Sequence, residues 1–597
     1  MIEIIPPSIL EYIITMKQGY VMSLINLLII CLSLPLIYIF KKKNITNKYK
    51  LFLLLVIIAV IPTWTIFRSG VYESGDFSLH IYRTMEFYHS LSEGNIIPSW
   101  AQNLNATYGY PLFMFNYTLP YYFLSFLKLL GFTYILSMKI FLALSFIFSG
   151  IFMYFFTKNV FKKDIAAFTS SVFYLFAPYH LISLNFKVTI GEILAFTFLP
   201  LVLFFTDKFF KTYKFIYLLL TILCFAFLSL SHIVVAIFFV LIITSYVFFL
   251  SNKNKFKNFV YLFIIFFISL LIFGYNIFSS IIYKEYMYLN LIQMQTLSFP
   301  KINDLLYSPW RAGLLFQGHY GEISNLIGYT QIFVIISIFY LLAKKQISKK
   351  YKKTIKFWLI NTLFFIFLIT PYSEFIWNIL PMINIVGAHR LLLIVSFCIS
   401  ILAGYLILIK GKNKKFIYIL LAITILYTIL NWGNRKMLSQ IDDSMLKTNL
   451  PMSTYYGEKH FYANTKWVDK NDPWFKTIPN EKIEGLNGEV KYKLIKKTST
   501  EHIYKINTLK PTIIRENTLY FPTWNAKINN KPINLWPDSR GVINLKSETG
   551  DQILEITYSD FPIYNLIKLI SLFSLFTVVL LSFYLLVKKI LELFFCN

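Results

Sequence analysis

The feature that most constrains this chain is a succession of apolar runs of about 20 residues, the length that a helix needs to cross a lipid bilayer. Hydrophobic residues make up 57% of the 597 residues, and charged residues only 14%. A soluble protein of this length could not bury so much apolar surface, so the composition predicts a mainly α, polytopic membrane protein. About 13 transmembrane helices are expected, near 21–40, 51–68, 133–156, 164–182, 189–206, 215–231, 233–250, 259–280, 326–343, 355–371, 388–409, 416–432 and 561–587.

The net charge of +28 is concentrated in short clusters rather than spread along the chain. The clusters fall at alternate junctions between the apolar runs, at 41–50, 158–163, 208–214, 253–257, 344–356, 410–415 and 588–589. Basic clusters of this kind mark the cytoplasmic ends of membrane helices. The charge therefore indicates the orientation of a multi-pass protein in the inner or plasma membrane. The lipid bilayer is its expected partner, and no nucleic-acid partner is expected.

The same orientation places two large regions on the extracytoplasmic side, a first external loop at 69–132 and a polar segment at 433–560. In the second region, sequences such as "GVINLKS" and "QILEITYS" alternate apolar and polar residues. This period of two predicts a small antiparallel, β-rich domain. The chain therefore divides into a multi-span membrane domain at 1–432, the β-rich domain at 433–560, and a final transmembrane helix with a cytoplasmic tail at 561–597.

Ionisable residues are unusually dense at the start of the first external loop, in "SGDFSLHIYRTMEF". Asp76, His80, Arg83 and Phe87 follow the spacing i, i+4, i+7 and i+11, so a helix would place them on one face. Two interpretations remain open at this point. The face is either the solvated side of an interfacial helix, or an acid–base and phosphate-binding surface that faces a cavity.

Further ionisable residues lie at the predicted ends of membrane helices. Lys187 and Glu192 flank the start of a span in "NFKVTIGEILAF", while His232, His389 and Arg390 lie at the ends of others. An acidic group at membrane depth is a candidate functional residue, because its desolvation must be offset by a partner. The alternatives are a packing or capping role for the histidines and contact with lipid headgroups for the cations.

The second half of the first external loop is rich in aromatic residues, Asn, Gly and Pro, and includes Tyr110 in "NATYGYPLF". Such a segment suits a structured loop that lies on the membrane and lines a groove, and this would make Tyr110 a substrate contact. An aromatic belt at headgroup depth, without a ligand, explains the composition equally well.

Several motifs together resemble a bacterial multi-pass membrane family labelled 6-pyruvoyl-tetrahydropterin-synthase-related, which is similar to GT-C glycosyltransferases. The motifs are "GDFSLHIYR", "GNIIPSWAQNLNATYGYPLFMFNYTLPYY", "YLFAPYHLISLNFKVTIGE", "LSHI", "IWNILPMINIVGAHRLL" and "YFPTWNAKINNKP", the last preceding the predicted strands. The sequence departs from the pattern at "GAHR", where an aromatic-Pro-Trp-Arg is commoner, and at Lys187, where Arg is expected. Both departures keep a cation. The His-rich metal site of a soluble pterin synthase has no counterpart in the sequence.

The resemblance implies a GT-C-like fold and a membrane glycosyltransferase that takes its sugar from a polyprenyl-phosphate donor. The acceptor would be an extracytoplasmic glycan, lipid or protein, with Asp76 as the general base and His80 orienting it or binding sugar. The donor phosphate would be bound by cations, and other polar side chains would contact the substrates. These two sets are Arg83, Lys187 and Arg390 for the phosphate, and Glu192, His232, His389 and Tyr110 for the substrates. No cofactor is expected, and a divalent metal is compatible with the sequence but not indicated by it.

Two other functions are compatible with the same residues. A non-catalytic scaffold of envelope-glycan assembly would keep the fold without the chemistry. A lipid or polysaccharide transporter would also use cations and acids at membrane depth, although the sequence shows no internal repeat of the kind common in transporters.

Overall fold

In the computed structural model, the chain is described at 24–28, 31, 47–250, 254–287, 299–307, 324–379, 387–409, 414–429, 432, 437–455, 465–468 and 477–595. Most of these residues are helical. The helices are Asn47–Val60, Phe77–Ser92, Leu119–Leu129, Tyr134–Phe161, Asp164–Leu175, Pro178–Ile182, Ile190–Thr212, Phe215–Ser231, Ile233–Leu250, Lys255–Ile282, Ile302–Leu306, Tyr329–Ala343, Lys349–Ile369, Glu374–Ile379, Leu392–Leu406, Lys414–Leu426, Asp443–Asn449 and Pro562–Phe595.

By length and composition, six helices within the described ranges could cross a membrane, and eight could do so if each of two bent helix pairs is one span. Shorter apolar helices at Phe215–Ser231, Ile233–Phe249, Tyr329–Ala343 and Phe416–Leu426 coincide with further predicted spans. The prediction of a mostly helical, multi-pass membrane protein is therefore confirmed. The predicted number of spans stays a prediction, and the one at 21–40 lies mostly outside the described residues.

Two breaks in apolar segments bring polar residues to the helix ends. The segment predicted as one span at 164–182 bends by 49° between Asp164–Leu175 and Pro178–Lys187. Proline accounts for this break, because its ring cannot continue the preceding helix. The second break is at His232, whose extended backbone (φ −159°, ψ 94°) separates Phe215–Ser231 from the next helix.

Near the C-terminus the chain forms antiparallel strands, which confirms the predicted β-rich region. The strands of the described chain are β1 Val71–Tyr72, β2 Met437–Leu438, β3 Ile483–Gly485, β4 Val490–Lys497, β5 Glu501–Thr508, β6 Thr512–Leu519, β7 Trp524–Ile528, β8 Lys531–Ile533, β9 Trp536–Pro537, β10 Val542–Ser547 and β11 Gly550–Tyr558. A five-stranded sheet has the order β4-β5-β11-β7-β8, and a four-stranded sheet has the order β3-β6-β10-β9.

A charged cluster is buried where the two sheets face each other. Glu516 on β6 accepts a hydrogen bond from the Tyr504 hydroxyl on β5 (3.0 Å). It also pairs with His502, which is on β5 as well (3.1 Å). Lys482 lies 3.5 Å from Glu516. Although burial raises the pKa of Glu516, the charge of Lys482 and the hydrogen bond to His502 bring it down to about 2. The carboxylate is therefore ionised, as a buried acid can be only when its charge is compensated.

The β-rich region packs on the first loop of the membrane domain. Strand β1, directly after the first described span, pairs with β2. The Lys482 side chain donates to the carbonyl oxygen of Thr107 (3.3 Å). The backbone N–H of Leu519 donates to the carbonyl oxygen of Tyr108 (2.9 Å). These contacts place the two regions predicted to be external, 69–132 and 433–560, on one common side. That this side is extracytoplasmic stays a prediction from the basic clusters.

Trp100 should be a main source of stability at this contact. Its side chain is 1% exposed and packs against Trp524, Tyr558 and Phe521, with ring centroids at 5.4, 5.6 and 6.3 Å. We expect Trp100→Ala to lower the free energy of unfolding by roughly 3–5 kcal/mol, because it removes a large buried side chain and leaves a cavity. Thermal denaturation of the detergent-solubilised protein measures the loss. The control, Leu509→Ala, truncates a side chain that is 82% exposed, and an equal effect of both variants would contradict the assignment.

Candidate functional site

Asp76 is held next to Lys187 by the main chain. The backbone N–H of Asp76 donates to the carbonyl oxygen of Lys187, and that of Gly75 donates to Phe186, both at 2.9 Å. A Cβ at position 75 would lie only 3.0 Å from the Lys187 carbonyl oxygen, so a glycine allows this close approach. These backbone hydrogen bonds therefore hold the main chain at Asp76 next to the main chain at Lys187.

The turn after Lys187 has an unusual backbone. Val188 has a φ of +56°, which is left-handed and rare for a β-branched residue. The preceding five residues, Ser183–Lys187, form one π-helical turn. Such local departures are common at functional sites, where the surrounding structure compensates their cost. Here they turn the chain so that Lys187 and Glu192 lie at the start of the helix Ile190–Thr212.

Asp76 lies among charges from three distant parts of the chain. Burial raises the pKa of its carboxyl group, whereas the cations Arg83, Arg390 and Lys187 oppose the rise and Glu192 adds to it. Asp76 itself is partly exposed, while Arg83 is buried at 4% exposure. The three cations that the sequence analysis proposed for phosphate binding therefore all act electrostatically on one carboxylate, although their roles stay predictions.

Glu192 is the most enclosed charge of the site, with 1% of its side chain exposed. Its Oε2 accepts hydrogen bonds from Tyr179 (2.8 Å) and Ser183 (3.3 Å). Its Oε1 lies 3.6 Å from Nη1 of Arg390, beyond hydrogen-bond distance but within ion-pair distance. Lys187 donates to the Tyr179 hydroxyl (3.3 Å) and lies over its ring at 4.7 Å. Glu192 is thus compensated by two cations, one of them through a tyrosine.

The histidines join this network from other helices. His232 lies at the break between two helices, and its Nε2 is 2.9 Å from Nη1 of Arg390. The ring of His389 lies 6.5 Å from that of Tyr179. His80 is buried, with Nδ1 3.0 Å from the Tyr121 hydroxyl and Nε2 3.4 Å from the Tyr117 hydroxyl. The structure therefore brings together eight of the nine predicted site residues: Asp76, His80, Arg83, Lys187, Glu192, His232, His389 and Arg390.

The ninth predicted residue, Tyr110, belongs to a different contact. It forms an isolated antiparallel bridge with Ala101, and its side chain is 2% exposed. This bridge lies in the part of the loop that packs under the β-rich region, close to Trp100. The bridge to Ala101 thus gives Tyr110 a role in loop structure, and substrate binding by this residue stays a prediction.

Sequence reasoning missed the tyrosines that complete the site. Tyr179 and Ser183 supply hydrogen bonds to Glu192, and Tyr117 and Tyr121 supply those to His80. A signal was present for Tyr179, because a buried carboxylate requires hydrogen-bond donors and Tyr179 directly follows a proline, which can interrupt a helix. Tyr117 and Tyr121 were hidden among many aromatic residues.

The site is a set of cations and acids at one end of the membrane helices. Among the residues that the structure describes, no three His, Cys, Asp or Glu side chains form a group that could hold a metal ion. The arrangement offers one partly exposed carboxylate to accept a proton and several cations to bind an anion.

The comparisons with known proteins identify no family. No family model matches the chain. An uncharacterized protein of Lactococcus lactis subsp. cremoris (strain MG1363) is 26% identical over 219 residues. The matched region is 36% of this chain and 35% of that protein. Among solved structures, the oligosaccharyltransferase of Archaeoglobus fulgidus, tethered with an acceptor peptide containing the NVT sequon, has a TM-score of 0.39 and 13% identity. That match covers 64% of this chain and 55% of the other.

Glu192 should be required for the stability of the site. We expect Glu192→Gln to destabilise the protein by roughly 1–3 kcal/mol, because the partly exposed cations Lys187 and Arg390 lose their countercharge and the hydrogen bonds to the carboxylate are weakened. Thermal denaturation in detergent is the measurement, and Glu489→Gln, at an exposed position, is the matched control. If the two variants unfold at the same temperature, the Glu192 network does not stabilise the fold.

Proposed function

We propose that this protein is a membrane glycosyltransferase that moves a sugar from a polyprenyl-phosphate donor to an extracytoplasmic glycan, lipid or protein acceptor. The observation that carries the proposal is the partly exposed carboxylate of Asp76 among Arg83, Lys187 and Arg390. A proton acceptor beside a cluster of cations suits a reaction that deprotonates a hydroxyl group and releases a phosphate. The position of the cluster, at the ends of apolar helices, suits a donor whose lipid chain stays in the bilayer.

In the proposed reaction, Asp76 takes the proton of the acceptor hydroxyl group while that oxygen attacks the anomeric carbon of the sugar. The new glycosidic bond forms as the bond between the anomeric carbon and the phosphate oxygen breaks. The leaving phosphate keeps the electron pair of that bond, and the configuration at the anomeric carbon is inverted. The proton ends on Asp76, so atoms and charges balance without a cofactor.

The charges of the site match this leaving group. Three cations and the carboxylates of Asp76 and Glu192 sum to +1 when all are ionised, since 3 − 2 = 1. The phosphodiester of a polyprenyl-phosphate sugar carries one negative charge, so the bound donor would bring the site close to neutrality. Cations also stabilise the second negative charge that develops as the phosphate leaves, in a setting where water is partly excluded.

Asp76 suits the role of the base better than Glu192 does. Glu192 already accepts two hydrogen bonds and pairs with Arg390, while only 1% of its side chain is exposed. Asp76 is accessible, and burial raises the pKa of its carboxyl group, which makes it a stronger proton acceptor. Glu192 instead acts as the fixed countercharge that keeps Arg390 and Lys187 in position.

Asp76→Asn should reduce transfer by about 100- to 10,000-fold, the usual contribution of a general base, because the amide keeps the size of the side chain but cannot take a proton. The variant is expressed in a strain that lacks the gene. Mass spectrometry of lipid-linked sugars then shows whether the donor accumulates, and surface-glycan analysis shows whether the product is missing.

Asp551→Asn is the matched control, because Asp551 is 62% exposed on the β-rich region. If Asp76→Asn restores the wild-type glycan, Asp76 is not the base, and Glu192 is the next candidate. Should Asp76→Asn and Glu192→Gln both restore it while the deletion strain lacks it, a non-catalytic scaffold explains the result better.

The pH dependence of transfer gives an independent test of the base. Asp76 accepts a proton only when ionised, so activity falls as the pH drops through its raised pKa and is constant above it. Removing a cation that opposes the rise moves this acid limb to higher pH. We therefore expect Arg83→Gln to shift the limb of kcat/KM upward in initial-rate measurements between about pH 4 and 8. An acid limb at the same pH in both proteins would argue against Asp76 as the titrating group.

A further inference from the structure

Tyr117 lies between the two halves of the candidate site. Its hydroxyl group is 3.4 Å from Nε2 of His80, on the helix that begins after Asp76. Its ring is nearly parallel to that of His232, the histidine that contacts Arg390, with centroids 6.4 Å apart and an interplanar angle of 24°. Tyr117 therefore connects the carboxylate side of the site to the cation side.

The ring of Tyr117 also lies directly over the residue before Glu192. A Cβ built on Gly191 would be 3.0 Å from Cε1 and Cζ of Tyr117, and 2.5 Å from the carbonyl oxygen of Ser231. Real Cβ atoms do not approach backbone oxygens so closely, so only a glycine lets the ring and the two helices meet here. The absence of a side chain at position 191 thus brings the aromatic ring against the start of the helix that carries Glu192.

Tyr117 differs from its neighbour Tyr121 in accessibility. Tyr121 is fully buried and stacks on Tyr117, with the two ring planes 7° apart and the centroids at 6.0 Å. Tyr117 remains partly exposed and lies in the field of Arg83, Asp76 and Arg390. An aromatic ring with one accessible part, held by a stacked partner and surrounded by charged groups, is a rigid surface at the centre of a polar site.

Such a surface suits a ligand that is apolar on its faces and polar at its edges. A pyranose ring has this character, because its C–H groups cover the faces and its hydroxyl groups point outward. The aromatic ring would contact the C–H groups, while the hydroxyl groups of the sugar would face the charged groups near Tyr117, which are Asp76, Arg83 and Arg390. Binding sites that combine aromatic rings with a few placed polar groups fix orientation in this way.

We propose that the Tyr117 ring is the platform on which the transferred sugar lies, between the acceptor side at Asp76 and the phosphate side at Arg390. This inference rests on the proposed function and adds the residue that binds the sugar itself. It assigns Tyr117 a positioning role rather than a part in proton transfer, so its loss acts on substrate binding more than on the chemical step.

The test separates binding of the sugar from binding of the lipid phosphate. Purified wild-type protein, Tyr117→Ala and Tyr117→Phe are titrated with polyprenyl phosphate alone and with polyprenyl phosphates that carry glucose, mannose or galactose. Thermal stabilisation of the protein gives an apparent affinity for each. The exposed Tyr372, with 72% of its side chain accessible, provides the matched control Tyr372→Ala, and the denaturation temperature without ligand verifies that each variant is folded.

For wild type we expect one of the sugar-bearing lipids to bind more tightly than the bare phosphate. Tyr117→Ala should lower the apparent affinity for that sugar-bearing lipid by about 10-fold or more, because a stacking contact is lost. The affinity for the bare polyprenyl phosphate should stay within about 3-fold of wild type, because the cations are kept. Tyr117→Phe keeps the ring and should stay close to wild type. If Tyr117→Ala instead weakens both lipids equally, the residue supports the fold and the platform assignment is wrong.

The outcomes also distinguish this proposal from the proposed function. A wild-type preference for a sugar-bearing lipid that survives in Tyr117→Ala refutes the platform and leaves the glycosyltransferase proposal intact. A wild-type protein that binds neither the bare phosphate nor any sugar-bearing lipid refutes the proposed donor class, and the platform with it. A misfolded Tyr117→Ala leaves Tyr117→Phe and Tyr117→Leu as the comparison, of which only Phe should keep the preference for sugar.

Discussion

The compensation of one buried carboxylate governs the arrangement of the candidate site. Glu192 lies at the start of an apolar helix, where an isolated charge would cost several kcal/mol or more. The hydroxyl groups of Tyr179 and Ser183 and the charge of Arg390 offset this cost. Because these partners come from a helix break at Pro178 and from a helix far along the sequence, satisfying Glu192 also fixes how those helices meet.

The helix Phe77–Ser92 connects this site to the β-rich region. Its first turns carry His80 and Arg83 toward the site, and its last turns carry groups that contact other parts of the loop and the β-rich region. Glu86 accepts hydrogen bonds from the backbone and side chain of Asn103, and Ser90 lies 3.3 Å from Ser499. The density of charge in "SGDFSLHIYRTMEF" therefore has two explanations, one for each end of the helix. The same helix therefore contacts both the site and the β-rich region.

Sequence patterns predicted the elements of this structure that follow a single regular pattern of apolar residues. Apolar runs indicated the membrane helices, and alternation indicated the strands near the C-terminus. The ionisable residues at span ends, such as Glu192 and Arg390, could be identified as unusual because of their desolvation cost. Their partners could not be identified, because the π-helical turn at Ser183–Lys187 and the left-handed Val188 follow no repeating pattern. For Tyr110, the aromatic surroundings suggested a groove but gave no sign of its bridge to Ala101, and its substrate contact stays a prediction.

The backbone hydrogen bonds that join Gly75 and Asp76 to Phe186 and Lys187 have a consequence for divergence of the sequence. Main-chain groups are the same in every residue other than proline, so this connection does not depend on which cation stands at position 187. A lysine can replace an arginine there, or the reverse, with the carboxylate still at its place. Related chains are then free to vary the reach and hydrogen-bonding pattern of the cation, and with them the anionic group that fits, while the main-chain connection between the two positions stays the same.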